Sequence, residues 1–139
     1  MGVATPRADL GSEQRPMPSP LEWLEAPLAS RMALLRSGAP ASWIRQVEQA
    51  TGLSRSALCS LLGLRVSTIN RKLHNLARLS AYESERLMGL HRLMGQVQAV
   101  VRDCGDGEAF DAAAWLAAWL QRPNHALGGG SSWRFSRYR

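Results

Sequence analysis

Apolar residues recur at helical spacing along most of the chain after residue 20, and this periodicity is the feature that most constrains the fold. In the stretch LEWLEAPLASRMALLR, the positions Leu24, Leu28, Met32 and Leu35 are three or four residues apart. An amphipathic helix needs that spacing because 3.6 residues complete one turn. No segment alternates with the period of two that a half-buried strand requires. The sequence therefore predicts an all-α fold, a compact bundle of about six helices.

Helix start and stop signals divide the periodic region into separate helices. Serine and aspartate side chains cap free N–H groups at a helix N terminus, whereas glycine and proline interrupt the helical backbone. Ser80 and Glu83 have capping-box spacing before the longest apolar-periodic run, which is expected to end near Gly105. The other predicted boundaries are a break at Pro27 after a short turn, stops at Gly38, Gly52, Gly63 and Pro123, and starts near Pro40, at Ser54, at Arg65 or Ser67, and at Asp111.

The positive charge is concentrated in the middle of the chain. The whole sequence of 139 residues has a net charge of +6, and arginine supplies 16 of its 17 basic residues. Residues 31–102 hold eleven basic residues against three glutamates, which gives this segment a charge of +8. Arginine binds phosphate in a forked geometry, so the bias favours a nucleic-acid partner, although a genome rich in G and C also enriches arginine codons. Any nucleic-acid surface is therefore expected in the middle segment.

The first 20 residues differ in composition from the rest. Residues 1–20 are rich in Pro, Gly, Ser and charged residues without periodicity, which predicts a flexible N-terminal arm. They contain no long apolar core of a signal peptide, and no apolar run in the chain approaches the roughly 20 residues that cross a bilayer. We therefore expect a cytoplasmic protein with one core and no membrane partner.

Cysteine and histidine are sparse and dispersed. Cys59 and Cys104 lie 45 positions apart without further ligands at zinc-site spacing, and we expect both to be small buried residues. His74, His91 and His125 fall on three different elements, where surface or half-buried structural roles are expected. No nucleophile in a recognisable setting and no phosphate-binding glycine loop is found. The sequence thus predicts no enzyme, no metal site and no cofactor.

The stretch LCSLLGLRVSTINRKL has the spacing of a helix-turn-helix unit. Small Cys59 allows two helices to approach each other, and Gly63 supplies the left-handed turn between them. Leu64 and Ile69 then anchor the second helix in the core. This arrangement leaves the outward N-terminal face of the second helix free to enter a DNA major groove. The residues predicted for that face are Arg65, Ser67, Thr68, Arg71 and Lys72.

These residues fit different kinds of DNA contact. The guanidinium of Arg71 can read guanine through two hydrogen bonds, whereas Ser67, Thr68 and Lys72 are expected mainly at phosphates. One unit alone contacts too few phosphates for tight binding, so operator recognition is expected from a homodimer or a higher complex. The alternative is an ordinary pair of core helices that carries solvated arginines.

The long helix is expected to contribute mainly to the core. Its apolar positions, Met88 and Met94 among them, recur at helical spacing. A seam between two helices of a dimer is the alternative for the same positions.

Three sequence strings resemble one protein family. LRVSTINRKL, ARLSAYESERL and AWLAAWLQRPNHALGG occur in this order and are similar to the Xre/MbcA/ParS antitoxins of bacterial toxin–antitoxin pairs. The resemblance covers about residues 21–129, and its most specific part is WLQRPNHALGG, which matches a W-L-x-x-P-N-x-A-L-G-G signature. It implies a helix-turn-helix domain joined to a C-terminal domain that covers the active-site cleft of an NAD-consuming RES-type toxin. The complex in such systems often represses its own promoter.

The resemblance also implies a division of the chain and a set of toxin-binding residues. Residues 21–104 would be the Xre-like helix-turn-helix domain, residues 105–129 a partial toxin-binding domain, and residues 130–139 an irregular basic tail. The implied toxin-binding residues are Trp115, Trp119, Pro123, Asn124, Leu127, Gly128 and Gly129. The tryptophans offer large rigid apolar area, and proline followed by asparagine fixes a sharp exit from the helix. Alternatively, both tryptophans lie in the protein's own core, and burial of at least one of them is expected.

After the double glycine the sequence departs from the family pattern. The family continues with a proline and a Leu-Leu-containing helix, whereas this chain continues with GSSWRFSRYR. We therefore expect the final third of the toxin-binding domain to be absent or replaced. The sequence predicts an antitoxin that neutralises a RES-type toxin and represses its own promoter. The alternative is a stand-alone helix-turn-helix transcriptional regulator that has lost toxin binding.

Overall fold

The computed structural model describes residues 15–105 and 110–122, and these ranges contain seven α-helices and no strand. In chain order the helices are α1 (Pro20–Glu25), α2 (Leu28–Ser37), α3 (Trp43–Thr51), α4 (Arg55–Leu62), α5 (Val66–His74), α6 (Ala81–Asp103) and α7 (Ala112–Gln121). The all-α prediction is confirmed. The stretch before Pro27, predicted as a short turn, forms the short helix α1.

The predicted N-terminal caps of three helices are confirmed. Ser80 Oγ accepts a 3.1 Å hydrogen bond from the Glu83 backbone N–H, and the Glu83 carboxylate accepts one of 2.8 Å from the Ser80 backbone N–H. Ser54 caps α4 and Asp111 caps α7 through side-chain oxygens that accept backbone N–H groups. Each such cap typically contributes about 1 kcal/mol of stability. A further capping box with the same spacing begins α1.

Gly38 ends α2 at a place where two connections of the chain meet. Its φ of 90° lies in the left-handed region, and an added Cβ would clash with the carbonyl oxygen of Leu79. Backbone hydrogen bonds join the same connections, from Leu79 N–H to Ala39 O at 2.8 Å and from Ala41 N–H to Ala77 O at 3.0 Å. The link between α2 and α3 is therefore fixed against the link between α5 and α6. The predicted stops at Gly38, Gly52 and Gly63 are confirmed.

The long helix α6 is the centre of the bundle. It packs against α1, α2, α4 and α7, and α3 packs against α7 as well. Met88 and Met94 on α6 are buried in one continuous core with Trp43 and Ile44 of α3, which confirms their prediction as core residues. Burying one large apolar side chain typically contributes roughly 1.5–3 kcal/mol, so the buried core side chains together contribute more stability than the caps. The first and last described helices, α1 and α7, therefore both pack against α6.

The last residues of the predicted N-terminal arm, 15–19, lie against the bundle. The backbone carbonyl of Arg15 accepts a 2.9 Å hydrogen bond from Trp43 Nε1, and the carbonyl of Pro18 lies 2.6 Å from His91 Nε2. His91 is only 6% exposed, so the surface or half-buried role predicted for it is wrong. Burial lowers the pKa of His91, and the bond to Pro18 opposes part of that effect. A neutral ring that donates through Nε2 fits this site, because its buried Nδ1 has no hydrogen-bond partner among the described residues.

The two cysteines have opposite environments. Cys59 is fully buried, as predicted, and burial raises the pKa of its thiol. Cys104 is exposed, so the prediction of burial is wrong for it. The physical reason is that the described residues leave the last turns of α6 poorly covered, and the apolar Val100 on them is exposed too. His74 is exposed on α5, in line with the surface role expected for it.

Within the ranges that the structure describes, no helix is long and apolar enough to cross a bilayer. In the same ranges, no three His, Cys, Asp or Glu side chains come together in a group that would hold a metal ion. His125 and the predicted stop at Pro123 lie outside the described residues.

Candidate functional site

Helices α4 and α5 form the predicted helix-turn-helix unit. Gly63 between them has φ 72° and ψ 33°, and the following Leu64 N–H donates a 2.8 Å hydrogen bond to Cys59 O. Cys59 and Ile69 are fully buried, and Leu64 is partly buried against the same core. The left-handed glycine, the small residue and the two apolar anchors therefore have the predicted roles.

The outward side of α5 carries most of the residues predicted to contact DNA. Arg65, which is the N-cap of α5, Ser67 and Arg71 are exposed, and Thr68 is partly exposed. The opposite side of α5 is buried in the core. Side chains four positions apart lie on the same face of a helix, so Ser67 and Arg71 stand one turn apart. We call Arg65, Ser67, Thr68, Asn70 and Arg71 the recognition surface.

Lys72 has a different setting from the other predicted residues. Its Nζ lies 2.6 Å from Glu83 Oε1, and the two side chains are only 19% and 12% exposed. Burial raises the pKa of Glu83, but the hydrogen bonds from Lys72 and Ser80 lower it by more, so the carboxylate is held in its charged form. Lys72 therefore already has a charged partner within the chain. The phosphate contact predicted for it has to compete with Glu83.

Sequence reasoning does not identify Asn70 and its partners. Asn70 is exposed on α5, and its Oδ1 accepts a 3.2 Å hydrogen bond from Arg55 Nη1. Arg55, at the start of α4, also donates to both carboxylate oxygens of Glu48 on α3. The hydrogen bond to Glu48 raises the pKa of Arg55, against the opposite effect of burial. Asn70 follows Ser67 by three residues, and this spacing is a signal in the sequence that places both on one side of the helix.

The last described helix, α7, turns its tryptophans outward. Trp115 and Trp119 are 47% and 40% exposed, and their rings stack with centroids 6.4 Å apart and planes 11° apart. Leu116 and Leu120, one position further along the helix, are buried against the bundle. The expectation that at least one tryptophan lies in the protein's own core is therefore wrong, because the leucine stripe occupies that place.

An apolar groove of about 470 Å³ continues the tryptophan pair onto the end of α6. The ring of Phe110, with its centroid 6.2 Å from that of Trp115, forms one part of its wall. The other lining residues are Gln96, Val97, Val100 and Val101. We call this groove, together with Trp115 and Trp119, the tryptophan surface. Contiguous exposed apolar area of this kind marks protein interaction sites, whereas single exposed apolar residues are ordinary.

Two of the seven residues predicted to bind the toxin lie in the part of the chain that the structure describes. Trp115 and Trp119 lie in the described ranges and are brought together on α7. Pro123, Asn124, Leu127, Gly128 and Gly129 lie outside the described residues, and so does the tail that departs from the family pattern. The recognition surface and the tryptophan surface are built on different helices.

Comparisons with known proteins match both the helix-turn-helix and a longer part of the chain. Residues 30–90 match the family model of the antitoxin Xre-like helix-turn-helix domain, a range that contains α4 and α5. The chain is also 35% identical over 99 residues to the Prs ADP-ribosylating antitoxin of Sphingobium sp. (strain YBL2). That alignment covers 71% of this chain and 62% of the relative, so the chain spans less than two thirds of the relative's length. No solved structure gives a significant match.

Proposed function

We propose that this chain, which belongs to the antitoxin Xre-like helix-turn-helix family, is the antitoxin of a type II toxin–antitoxin pair. In this function it binds and neutralises a RES-type toxin and represses its own promoter. The observation that carries the proposal is the place of the family match, because residues 30–90 include the whole recognition surface. The tryptophan helix α7 would then supply the contact with the toxin.

The charge and exposure of the recognition surface support DNA binding. Arg65 and Arg71 are exposed and take part in no salt bridge with any described residue, so both cations can meet phosphates or base edges. The opposite side of α5 is anchored in the core, which fixes the helix for insertion into a major groove. One unit neutralises few phosphates, so we propose that a homodimer or a toxin-bridged complex brings two units to an operator. Half-sites about 34 Å apart would match such a pair.

The tryptophan surface supports the proposed contact with a protein partner. Tryptophans dominate many protein interfaces because one rigid side chain buries a large apolar area. The relative from Sphingobium carries a name that refers to ADP-ribosylation, a reaction in which NAD donates the ADP-ribose group. The RES-type toxins implied by the resemblance consume NAD as well. We therefore propose an NAD-consuming enzyme as the partner, with the tryptophan surface against its active-site cleft.

Co-expression with the toxin gene that neighbours the gene for this chain tests the proposal. We expect the chain to restore growth, to keep the cellular NAD level near that of toxin-free cells and to co-purify with the toxin. A toxin with a disabled active site serves as the control, because it should still co-purify without affecting growth. Depleted NAD and free toxin beside folded chain would contradict the proposal.

The stand-alone regulator remains the second candidate function. It is favoured by one observation, since the family match ends at residue 90, before α7 begins. It predicts operator binding by the chain alone and no protection against the toxin. Growth in the presence of the toxin gene, measured beside repression of the chain's own promoter, distinguishes the two candidates. Both functions belong in the cytoplasm and need no catalytic step by this chain.

A further inference from the structure

A series of hydrogen bonds that starts on α3 and passes through α4 ends at Asn70 on the recognition surface. Glu48 on α3 accepts bonds of 2.8 and 3.2 Å from Arg55, and Arg55 Nη1 donates to Asn70 Oδ1 at 3.2 Å. The side chains of Arg55 and Glu48 are 31% and 17% exposed, so water only partly screens this pair. A two-bond pair of this kind holds the guanidinium in one orientation before any ligand binds.

We propose that Asn70 reads an adenine in the major groove and that Arg55 is the positioning residue that orients it, an inference that rests on the DNA binding proposed above. A guanidinium carries only hydrogen-bond donors, so the amide of Asn70 turns its oxygen toward Arg55. The NH₂ group of Asn70 then points away from Arg55, and N7 of a purine accepts from such a donor. The second lone pair of Oδ1 accepts from the N6 amino group that adenine carries and guanine lacks.

The place of Asn70 on α5 supports this role. Asn70 lies three residues after Ser67 and four before His74, and all three are exposed, so they share one side of the helix. A free asparagine side chain loses rotamer freedom when a base fixes it. Arg55 already limits that freedom in the unbound protein, so the Asn70 side chain loses less conformational entropy when DNA binds.

The Glu48 carboxylate gives Arg55 a role that differs from that of a phosphate contact. Because Glu48 compensates the guanidinium charge, Arg55 adds little to the release of counterions from DNA. Removing a phosphate contact makes binding less dependent on salt and weakens all sequences alike. Removing a positioning residue instead changes the base preference and leaves the salt dependence as it was. The two roles are therefore separable by experiment.

Selection and binding measurements with the full chain test the proposal. The wild-type chain is used to enrich a random-sequence DNA duplex library, and the selected duplex and its single-base-pair variants are compared by fluorescence anisotropy at low and high salt. We expect Asn70→Ala to lose about tenfold discrimination at one A·T pair and to keep the wild-type preference elsewhere. Arg55→Ala should lose discrimination at the same pair with an unchanged salt dependence. Combining it with Asn70→Ala should cause no further loss.

Two conservative variants keep the test decisive if an alanine variant fails to fold. Arg55→Lys keeps the charge but is unable to bond Glu48 and Asn70 together, so it should lose the same discrimination. Asn70→Asp keeps the shape and the bond to Arg55 but replaces both donors by an acceptor. It should therefore bind the selected duplex more weakly than the wild-type chain does.

Two results would overturn the inference while leaving DNA binding intact. One is wild-type discrimination at every base pair in Asn70→Ala, and the other is an Arg55→Ala variant whose effect is a shallower salt dependence with unchanged base preference. A wild-type chain that enriches no duplex, either alone or together with the toxin, would overturn the proposed DNA binding instead, and this inference with it.

Discussion

The recognition surface and the tryptophan surface hold their side chains in opposite ways. Beside the recognition surface, carboxylates on neighbouring helices fix two long cationic side chains, with Glu48 binding Arg55 and Glu83 binding Lys72. On the tryptophan surface, Trp115 stacks on Trp119 and contacts Phe110, and both tryptophans keep a large fraction of their area in water. A polar surface of this kind is stable in contact with water, whereas the free energy of an apolar surface decreases when another molecule covers it.

The long helix α6 connects the two surfaces. Its first turn supplies Glu83 beside the recognition surface, and its last turns supply Val97 and Val100 to the tryptophan surface. At a rise of 1.5 Å per residue, Glu83 and Val100 are about 25 Å apart along the axis. Residues that far apart without shared partners usually act independently, so substitutions on one surface should leave the other intact.

The largest expected effect is the loss of toxin binding when the tryptophan pair is removed. In the double variant Trp115→Ala, Trp119→Ala, toxin affinity should fall roughly 1,000-fold, because tryptophans at interface hot spots contribute about 2 kcal/mol or more each. Operator affinity should stay at the wild-type level. Titration of the purified toxin and of an operator duplex measures both, with the exposed Leu28→Ala as the matched control. Equal loss of toxin binding in Leu28→Ala would show that the toxin contact is not specific to the tryptophan surface.

Arg71→Ala should produce the next largest effect, on the other surface. Loss of a base contact through its guanidinium should weaken operator binding by roughly 1–3 kcal/mol and relax specificity at one position. Toxin binding should not change. Electrophoretic mobility shifts with an operator duplex check the result, and Arg36→Ala, an exposed arginine on α2, serves as the control. Identical operator affinities for Arg71→Ala and wild type would show that Arg71 does not contact the operator.

Glu83→Gln should free the ammonium group of Lys72 from its charged partner and make it available to DNA. Glutamine can still accept the capping hydrogen bond from Ser80, so the helix start is kept while the negative charge is removed. We expect operator binding to tighten about two- to fivefold at low salt, and the gain to shrink as salt screens the freed ammonium group. Thermal stability should fall because Lys72 loses its charged partner. In Lys72→Gln, the same change at Glu83 should bring no gain in DNA binding, and a persistent gain would show that Lys72 is not its cause.

The smallest expected effect concerns His91, which supports neither surface directly. Burial lowers the pKa of His91 in the folded state, so the unfolded chain takes up a proton first as the pH decreases. Stability from this group is therefore complete above an unfolded pKa of about 6.5 and declines as the pH falls below it. Urea unfolding at pH 7.5 and pH 5.5 should show the difference, and His91→Gln should reduce it. The exposed His74→Gln should not, and an equal reduction there would exclude this explanation.

Local signals in the sequence predict the helix boundaries because each depends on residues close together in the chain. Ser80 with Glu83 begins α6, and Gly63 ends α4, as their spacing and backbone freedom require. The pairs Glu48 with Arg55 and Lys72 with Glu83 join different helices, and neither periodicity nor cap chemistry specifies them. Their geometry depends on how the helices pack, which the three-dimensional structure alone provides.

The orientation of α7 shows a second limit of sequence reasoning. Trp115 and Trp119 are four residues apart, and so are Leu116 and Leu120, so the helix carries two adjacent apolar stripes. Periodicity predicts a buried stripe but does not decide which of the two faces the core. The leucines pack against the bundle, and this packing leaves the larger aromatic stripe exposed.

Native mass spectrometry of the purified chain mixed with the proposed toxin and an operator duplex tests whether two separate surfaces bind two partners. We expect a complex that contains all three components. Arg71→Ala should lower the share of the complex that holds duplex and leave chain with toxin, and the double tryptophan variant should leave chain with duplex. Toxin and duplex that displace each other from the wild-type chain, or one variant that removes both partners, would contradict this expectation.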